Sequence, residues 1–108
     1  MNILVTGCAG FIGAHLTKKL LENKHHITGI DNLNDYYSIE LKKARLKNLI
    51  GENKNFFFQK VDICNKRKLE QIFSKNNFDL VIHLAAQAGV RYSLINPYIT
   101  KKLIFWEL

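Results

Sequence analysis

The 108-residue sequence predicts an α/β fold: an incomplete doubly wound sheet of about four parallel strands joined by crossover helices. Three observations carry this reading. Short apolar runs alternate with amphipathic stretches along the chain, the rhythm of strand–helix–strand units. The runs are continuously apolar, as in strands covered on both faces. A glycine-rich turn, Thr6-Gly7-Cys8-Ala9-Gly10-Phe11-Ile12-Gly13, joins the first run directly to the first amphipathic stretch.

The elements follow in order. Ile3-Leu4-Val5 reads as the first strand. Ile12, Leu16 and Leu20 recur at four-residue spacing and predict the inner face of a helix, with Lys18, Lys19 and Glu22 turned outward. Ile27-Thr28-Gly29-Ile30 is the second strand. Leu41, Ala44 and Leu49 then mark a helix whose basic face, Lys42-Lys43-Ala44-Arg45-Leu46-Lys47, is expected in solvent. Phe56-Phe57-Phe58 through Val61 is the third strand, and Leu69, Ile72 and Phe73 the apolar face of the next helix, with Asn65 as its N-cap. Leu80-Val81-Ile82-His83-Leu84 is the fourth strand. Asn96-Pro97 starts a closing helix, in which Ile104, Phe105, Trp106 and Leu108 spread around most of the circumference. With nothing paired beyond it, the fourth strand is expected to be an open edge.

Composition bounds the rest. The chain is 47% hydrophobic and 23% charged with one proline, which excludes collagenous and disordered classes. No apolar run approaches the ~20 residues of a membrane helix, and no basic segment precedes the first apolar stretch as in a secretory signal. Cys8 and Cys64 stand far apart, suiting a reducing cytoplasm. The net charge of +7 is uneven, −1 over residues 1–40 and +8 over residues 41–108. Its basic runs lie on amphipathic helices without interleaved aromatics, which argues against nucleic acid.

The glycine turn carries the chemistry. Glycine permits positive φ and lets phosphates approach the backbone, while the helix N-terminus behind it favours an anion. Asp31 ends the second strand eighteen residues after Gly13. A carboxylate there can accept both adenosine ribose hydroxyls and would repel a 2′-phosphate. No Lys or Arg occupies positions 32–38, so NAD is expected over NADP. Asp62-Ile63 closes the third strand, where it could edge an adenine or cap the following helix.

The glycine turn, the segment Gly29-Ile30-Asp31-Asn32-Leu33-Asn34-Asp35-Tyr36-Tyr37 and the segment His83-Leu84-Ala85-Ala86-Gln87-Ala88-Gly89-Val90-Arg91-Tyr92-Ser93 together resemble the extended short-chain dehydrogenases/reductases. Within these they are most similar to the UDP-glucuronate 4-epimerases of the NAD-dependent epimerase/dehydratase group. The resemblance spans residues 2 to about 99 and implies a Rossmann-type sheet holding NAD. By it, Gly7, Gly10, Phe11, Ile12 and Gly13 match the pyrophosphate turn, and Asp31, Asn32 and Asn34 the ribose segment. Asp62 and Ile63 match the adenine edge, and Leu84, Ala85, Ala86 and Gln87 the segment beside the nicotinamide ribose. Family members oxidise a nucleotide sugar at C4, rotate the ketone and return the hydride to its other face, using a Tyr-x-x-x-Lys pair. That pair is expected beyond this sequence. Tyr98-Ile99-Thr100-Lys101-Lys102 spells the pattern on the wrong helix, so no residue here is assigned a catalytic role.

The resemblance therefore implies the N-terminal part of an NAD-binding domain, with the substrate domain absent. Full-length relatives are expected to be homodimers acting on a UDP-sugar. Where the family carries Asn-Leu-x-Gly, this sequence has Lys102-Leu103-Ile104-Phe105, which suggests a fragment or an interrupted reading frame, inactive alone. The alternatives are a non-catalytic remnant that binds an adenine dinucleotide, or part of a sugar-nucleotide 4,6-dehydratase. Arg91 could meet a substrate phosphate or carboxylate. Cys64 is expected in packing at a helix start, His83 as a satisfied core histidine, and His25-His26 has no partners for zinc.

Overall fold

The computed structural model describes residues 1–33 and 39–84, and the backbone of residues 103–105. The chain runs β1 (Asn2–Thr6), α1 (Phe11–Glu22), β2 (His26–Asp31), α2 (Ile39–Arg45), a π-helical turn (Leu46–Ile50), β3 (Phe56–Lys60), α3 (Lys66–Lys75), β4 (Leu80–His83) and β5 (Leu103–Phe105). The strands form one sheet in the order β3-β2-β1-β4-β5, and every neighbouring pair is parallel. In the central register Leu4 lies between Thr28 of β2 and Val81 of β4.

Alternation along the strands divides the core in two. Leu4, Ile30 and Val81 face one side, where Leu69, Ile72 and Phe73 of α3 cover them together with Val61, Ile63 and Phe78. Ile3, Val5, Ile27, Leu80 and Ile82 face the other, under Leu16, Leu20 and Leu21 of α1 and Leu46 and Ile50 of the π-helical turn. Helices thus cover both faces, which makes the sheet doubly wound. The start of α3 matches its expected cap: the Asn65 side chain accepts the Lys68 N–H at 3.1 Å.

Three expectations are corrected. Leu103–Phe105 is a strand, with Leu103, Ile104 and Phe105 paired to Val81, Ile82 and His83, so β4 is not an edge. A short apolar run suits a buried parallel strand as well as a helix, and local pattern cannot reveal a long-range pairing. On α1, the deepest residues are Gly13, Ala14, Thr17 and Leu21, whereas Ile12 is 39% exposed. Small residues occupy the contact stripe because α1 presses closely on the turn before it. On α2 the polarity is inverted: Leu41 is 46% exposed and Lys42 is buried. The closing helix expected from Asn96-Pro97 lies outside the described residues.

Candidate functional site

In a doubly wound sheet, ligands bind beyond the carboxyl ends of the strands, where successive connections depart to opposite faces. Here that point falls between β1, which leads into α1, and β4, which follows α3 on the other face. The turn after β1 is fixed by the N–H groups of Gly7 and Cys8, which donate to the Ile30 carbonyl at 2.8 and 3.3 Å. Gly7 has φ of +73°, a left-handed conformation that glycine adopts without strain. Gly13 meets a different demand. A β-carbon on it would sit 2.0 Å from the Gly7 carbonyl oxygen, so only glycine lets α1 seat on the turn.

Gly10, the N-cap of α1, has extended backbone with φ −72° and ψ 170°. A β-carbon there would meet only the Gly7 oxygen, at 3.3 Å. That contact is tight for a β-carbon but far looser than the one at Gly13, and among the described residues nothing else stands before the Gly10 backbone, which leaves it open to an outside group. Among the described residues no side chain caps α1, and no acidic residue stands in its first turn, which leaves the positive helix end suited to an anion. These features fit the pyrophosphate of a dinucleotide.

Asp31 lies beside this turn, buried at 6% exposure. Its Oδ2 accepts the Ala9 N–H at 3.1 Å, and its Oδ1 accepts the Leu33 N–H at 2.7 Å. The Lys42 ammonium stands 3.4 Å from Oδ1. Of the four acceptor positions of a carboxylate, one on Oδ2 remains for a sugar hydroxyl. Leu33 accepts a left-handed φ of +52° to make its bond, a conformation that costs a branched residue about 1 kcal/mol or more. Arg45 closes the corner: its guanidinium reaches the Ala9 carbonyl at 3.4 Å and lies 5.7 Å from the centroid of the Phe11 ring. Phe11 is 66% exposed, and its ring lies 4.7 Å from that of His15, tilted by 52°.

Lys42 and Arg45 were missed from sequence, where both belong to a basic run expected in solvent. Eleven residues separate Lys42 from Asp31, and no local pattern links them. The expected absence of cations near Asp31 holds for positions 32–38 of the sequence but not for the space around the carboxylate.

Of the remaining candidates, Asp62 and Ile63 follow Val61, the first residue after β3, whose N–H donates to the Asp31 carbonyl at 3.1 Å. Asp62 is exposed, and its Oδ1 accepts the Cys64 N–H at 2.8 Å, while Ile63 is in the core. Asn32 is half-buried beside Asp31. Leu84 is fixed at the end of β4 by donating to the Thr6 carbonyl and hydroxyl oxygens at 3.1 and 3.0 Å. His83 is buried and lies 2.6 Å from Thr6 Oγ1, as a satisfied core histidine should. Cys8 is buried under the turn, where loss of solvent and then the Asp31 charge push its thiol pKa up. Cys64 is exposed, not packed. His25 pairs with the N-terminal amine at 3.0 Å, and among the described residues no cluster of three His, Cys, Asp or Glu could hold a metal. Asn34, Ala85, Ala86, Gln87, Arg91 and the Tyr98-to-Lys102 pattern lie outside the described residues.

The chain is similar to known proteins over most of its length. A family model described as GDP-mannose 4,6 dehydratase matches residues 4–105. The chain is 49% identical over 106 residues to Protein CapI of Staphylococcus aureus, covering 96% of this chain and 31% of that protein. It is 48% identical over 96 residues to a UDP-glucuronate 4-epimerase of Thermodesulfobacterium geofontis, covering 89% and 29%. Among solved structures, UDP-glucuronic acid 4-epimerase from Bacillus cereus in complex with UDP-glucuronic acid and NAD superposes with a TM-score of 0.71 at 41% identity, covering 86% of this chain and 29% of that one. The chain spans about a third of the length of the relatives it matches. Among the described residues no helix is long and apolar enough to cross a membrane.

Proposed function

This chain belongs to the GDP-mannose 4,6 dehydratase family, and from that premise we propose that it is the NAD-binding part of a nucleotide-sugar epimerase. The observation that carries the proposal is the bond from Ala9 N–H to Asp31 Oδ2, 3.1 Å long. It joins the turn after β1 to the carboxylate that ends β2, the two groups this reading gives to the phosphates and the ribose. In this reading Gly7, Gly10, Phe11, Ile12 and Gly13 receive the pyrophosphate. Asp31, Asn32 and Asn34 hold the adenosine ribose, and Asp62 and Ile63 edge the adenine. Leu84, Ala85, Ala86 and Gln87 line the nicotinamide ribose, and Arg91 meets the sugar nucleotide. Bound NAD would supply the hydride acceptor and, after rotation of a 4-keto sugar, the donor.

UDP-glucuronate and UDP-galacturonate are the proposed pair, supported by the relatives that carry that name. The family model instead favours a sugar-nucleotide 4,6-dehydratase as the second reading. The two free cysteines suit a reducing compartment, and we place the protein in the cytoplasm. No residue of the chain is assigned as catalytic base, so the 108 residues alone should not interconvert the two UDP-sugars. Calorimetric titration with NAD tests the binding, and Gly10→Val should abolish it by filling the phosphate approach. An NAD affinity untouched by Gly10→Val would overturn the site. Turnover by the isolated chain that is lost in Tyr98→Phe would make Tyr98 the base after all.

A further inference from the structure

β3 is the last strand on one side of the sheet, and among the described residues no strand lies beyond it. Exposed edges are usually blunted by proline, a bulge or a charge within the strand. β3 reads Phe56-Phe57-Phe58-Gln59-Lys60, with its one charge at the end, and its register with β2 is continuous. Phe56 and Phe58 pack on the core beneath α1, while Phe57 points to the other face and is 59% exposed. The ladder to β2 extends past the strand at both ends: the Asn55 carbonyl accepts the Ile27 N–H at 2.8 Å, and the Val61 N–H donates to the Asp31 carbonyl at 3.1 Å. The paired stretch therefore runs from 55 to 61, with Phe58 at its centre. Main-chain groups alternate in direction along a strand. With residues 55 and 61 turned to β2, the N–H and C=O of Phe58 and Lys60 and the carbonyl of Phe56 are turned outward, while the Phe56 N–H is taken by the Asn53 carbonyl at 3.0 Å.

We propose that β3 is an interface between two copies of this chain, paired antiparallel about a two-fold axis through Phe58 into one continuous sheet. In that register Phe58 exchanges both main-chain bonds with the partner's Phe58, and the Lys60 N–H donates to the partner's Phe56 carbonyl. Phe57 lies opposite the partner's Gln59 and diagonal to the partner's Phe57, about 7–8 Å away and within reach of a ring. At the ends Lys54 stands opposite the partner's Asp62, an exposed cation against an exposed anion. The stretch is thus complementary to its own reverse, with aromatic rings at the centre and opposite charges at both ends. Sliding the pairing so that Phe57 met the partner's Phe57 would set Lys54 against the partner's Lys60, so charge selects the first register. A contact of this symmetry closes after two copies.

The test is sedimentation of the full chain over about 1–100 μM, where a monomer should pass to a dimer and stop there. Lys60→Pro removes an outward N–H and none of the bonds to β2, a place where an edge strand tolerates proline, and should raise the dissociation constant about tenfold or more. Phe57→Thr changes an exposed side chain, should weaken the dimer too, and serves if the proline variant fails to fold. Lys54→Asp sets two carboxylates face to face and should weaken the dimer. Adding Asp62→Lys restores opposite charges in reversed order and should return the wild-type constant, a rescue that damage to the fold would not give. A wild-type chain that stays monomeric, or that grows past the dimer without limit, overturns the proposal. So does a dimer unchanged in folded Lys60→Pro and Phe57→Thr, or a Lys54→Asp variant that Asp62→Lys does not rescue.

Discussion

Gly13 sits so close to Gly7 that a β-carbon on Gly13 would come within 2.0 Å of the Gly7 carbonyl oxygen and 2.9 Å of its carbon. Both opposing atoms are backbone, so neither can rotate away. The contact ties the first turn of α1 to the end of β1, and the open N-terminus of α1 is aimed by it. The three glycines of the turn are therefore not equivalent. Gly7 supplies a φ of +73°, Gly13 supplies closeness, and Gly10 leaves room.

That division predicts opposite outcomes for two single-methyl changes. Gly13→Ala must push α1 off the turn and should cost about 3 kcal/mol or more in urea unfolding, at the upper end for overpacked sites. Gly10→Ala, with its β-carbon 3.3 Å from the same oxygen, should cost under about 1 kcal/mol while weakening NAD. Equal destabilisation by the two would show that Gly10 is a packing glycine too.

Asp31→Ala should show two losses at once. It strips acceptors from the Ala9 and Leu33 N–H groups and leaves Lys42 buried without its carboxylate, for a cost of about 3 kcal/mol. It should also weaken NAD at least tenfold, about 1.4 kcal/mol, through the lost ribose bond. Adding Lys42→Met to Asp31→Ala should recover part of the stability, because the buried charge no longer faces a missing carboxylate, and none of the NAD affinity. Full NAD affinity in folded Asp31→Ala would end the ribose assignment.

What could be read in the sequence was local. The turn Gly7–Gly13 and Asp31 follow their strands at short range, and Asn65 caps α3 from three residues before Lys68, so adjacency in the chain was enough. What escaped was set by long-range contact. Lys42 reads as a solvated lysine until α2 folds over β2 and brings it to Asp31. Ile12, placed inward by its spacing with Leu16 and Leu20, faces out because Gly13 and Ala14 take the close contact. Leu103–Phe105 pairs with residues more than twenty positions earlier, and parallel pairing leaves no turn signature to announce it.

His83 predicts a pH dependence. Thr6 Oγ1 accepts the Leu84 N–H at 3.0 Å and lies 2.6 Å from His83 Nδ1. Burial disfavours the charged imidazole and holds its pKa below the ordinary value of 6.5. Above that value neither the folded nor the unfolded chain protonates His83, and no stability depends on it. As pH falls below it the unfolded chain takes a proton that the native chain resists, and stability declines. Between pH 7.5 and 5.5 the urea midpoint should therefore fall more for wild type than for His83→Asn, whose amide can donate or accept at Thr6 Oγ1 but does not titrate. The same fall in both would remove His83 as the cause.

Lys24 offers a change that should strengthen the chain without touching the site. Helix α1 ends with the Lys24 N–H donating to the Leu21 carbonyl at 3.0 Å and the His25 N–H to the Leu20 carbonyl at 3.2 Å. This paired closure requires the residue after the C-cap to be left-handed, a position that glycine usually takes. Here Lys24 takes it, with φ of +67°, and its β-carbon crowds the neighbouring backbone at a cost of about 1–2 kcal/mol. Glycine would relieve that strain but lose more conformational entropy on folding, which offsets part of the gain. The balance favours Lys24→Gly by about 0.5–1 kcal/mol, read as a higher urea midpoint at unchanged slope. Lys24→Ala keeps the β-carbon and should gain little. If the alanine variant matched the glycine one, the gain would come from the lysine side chain and not from the backbone, and the strain at Lys24 would have been misplaced.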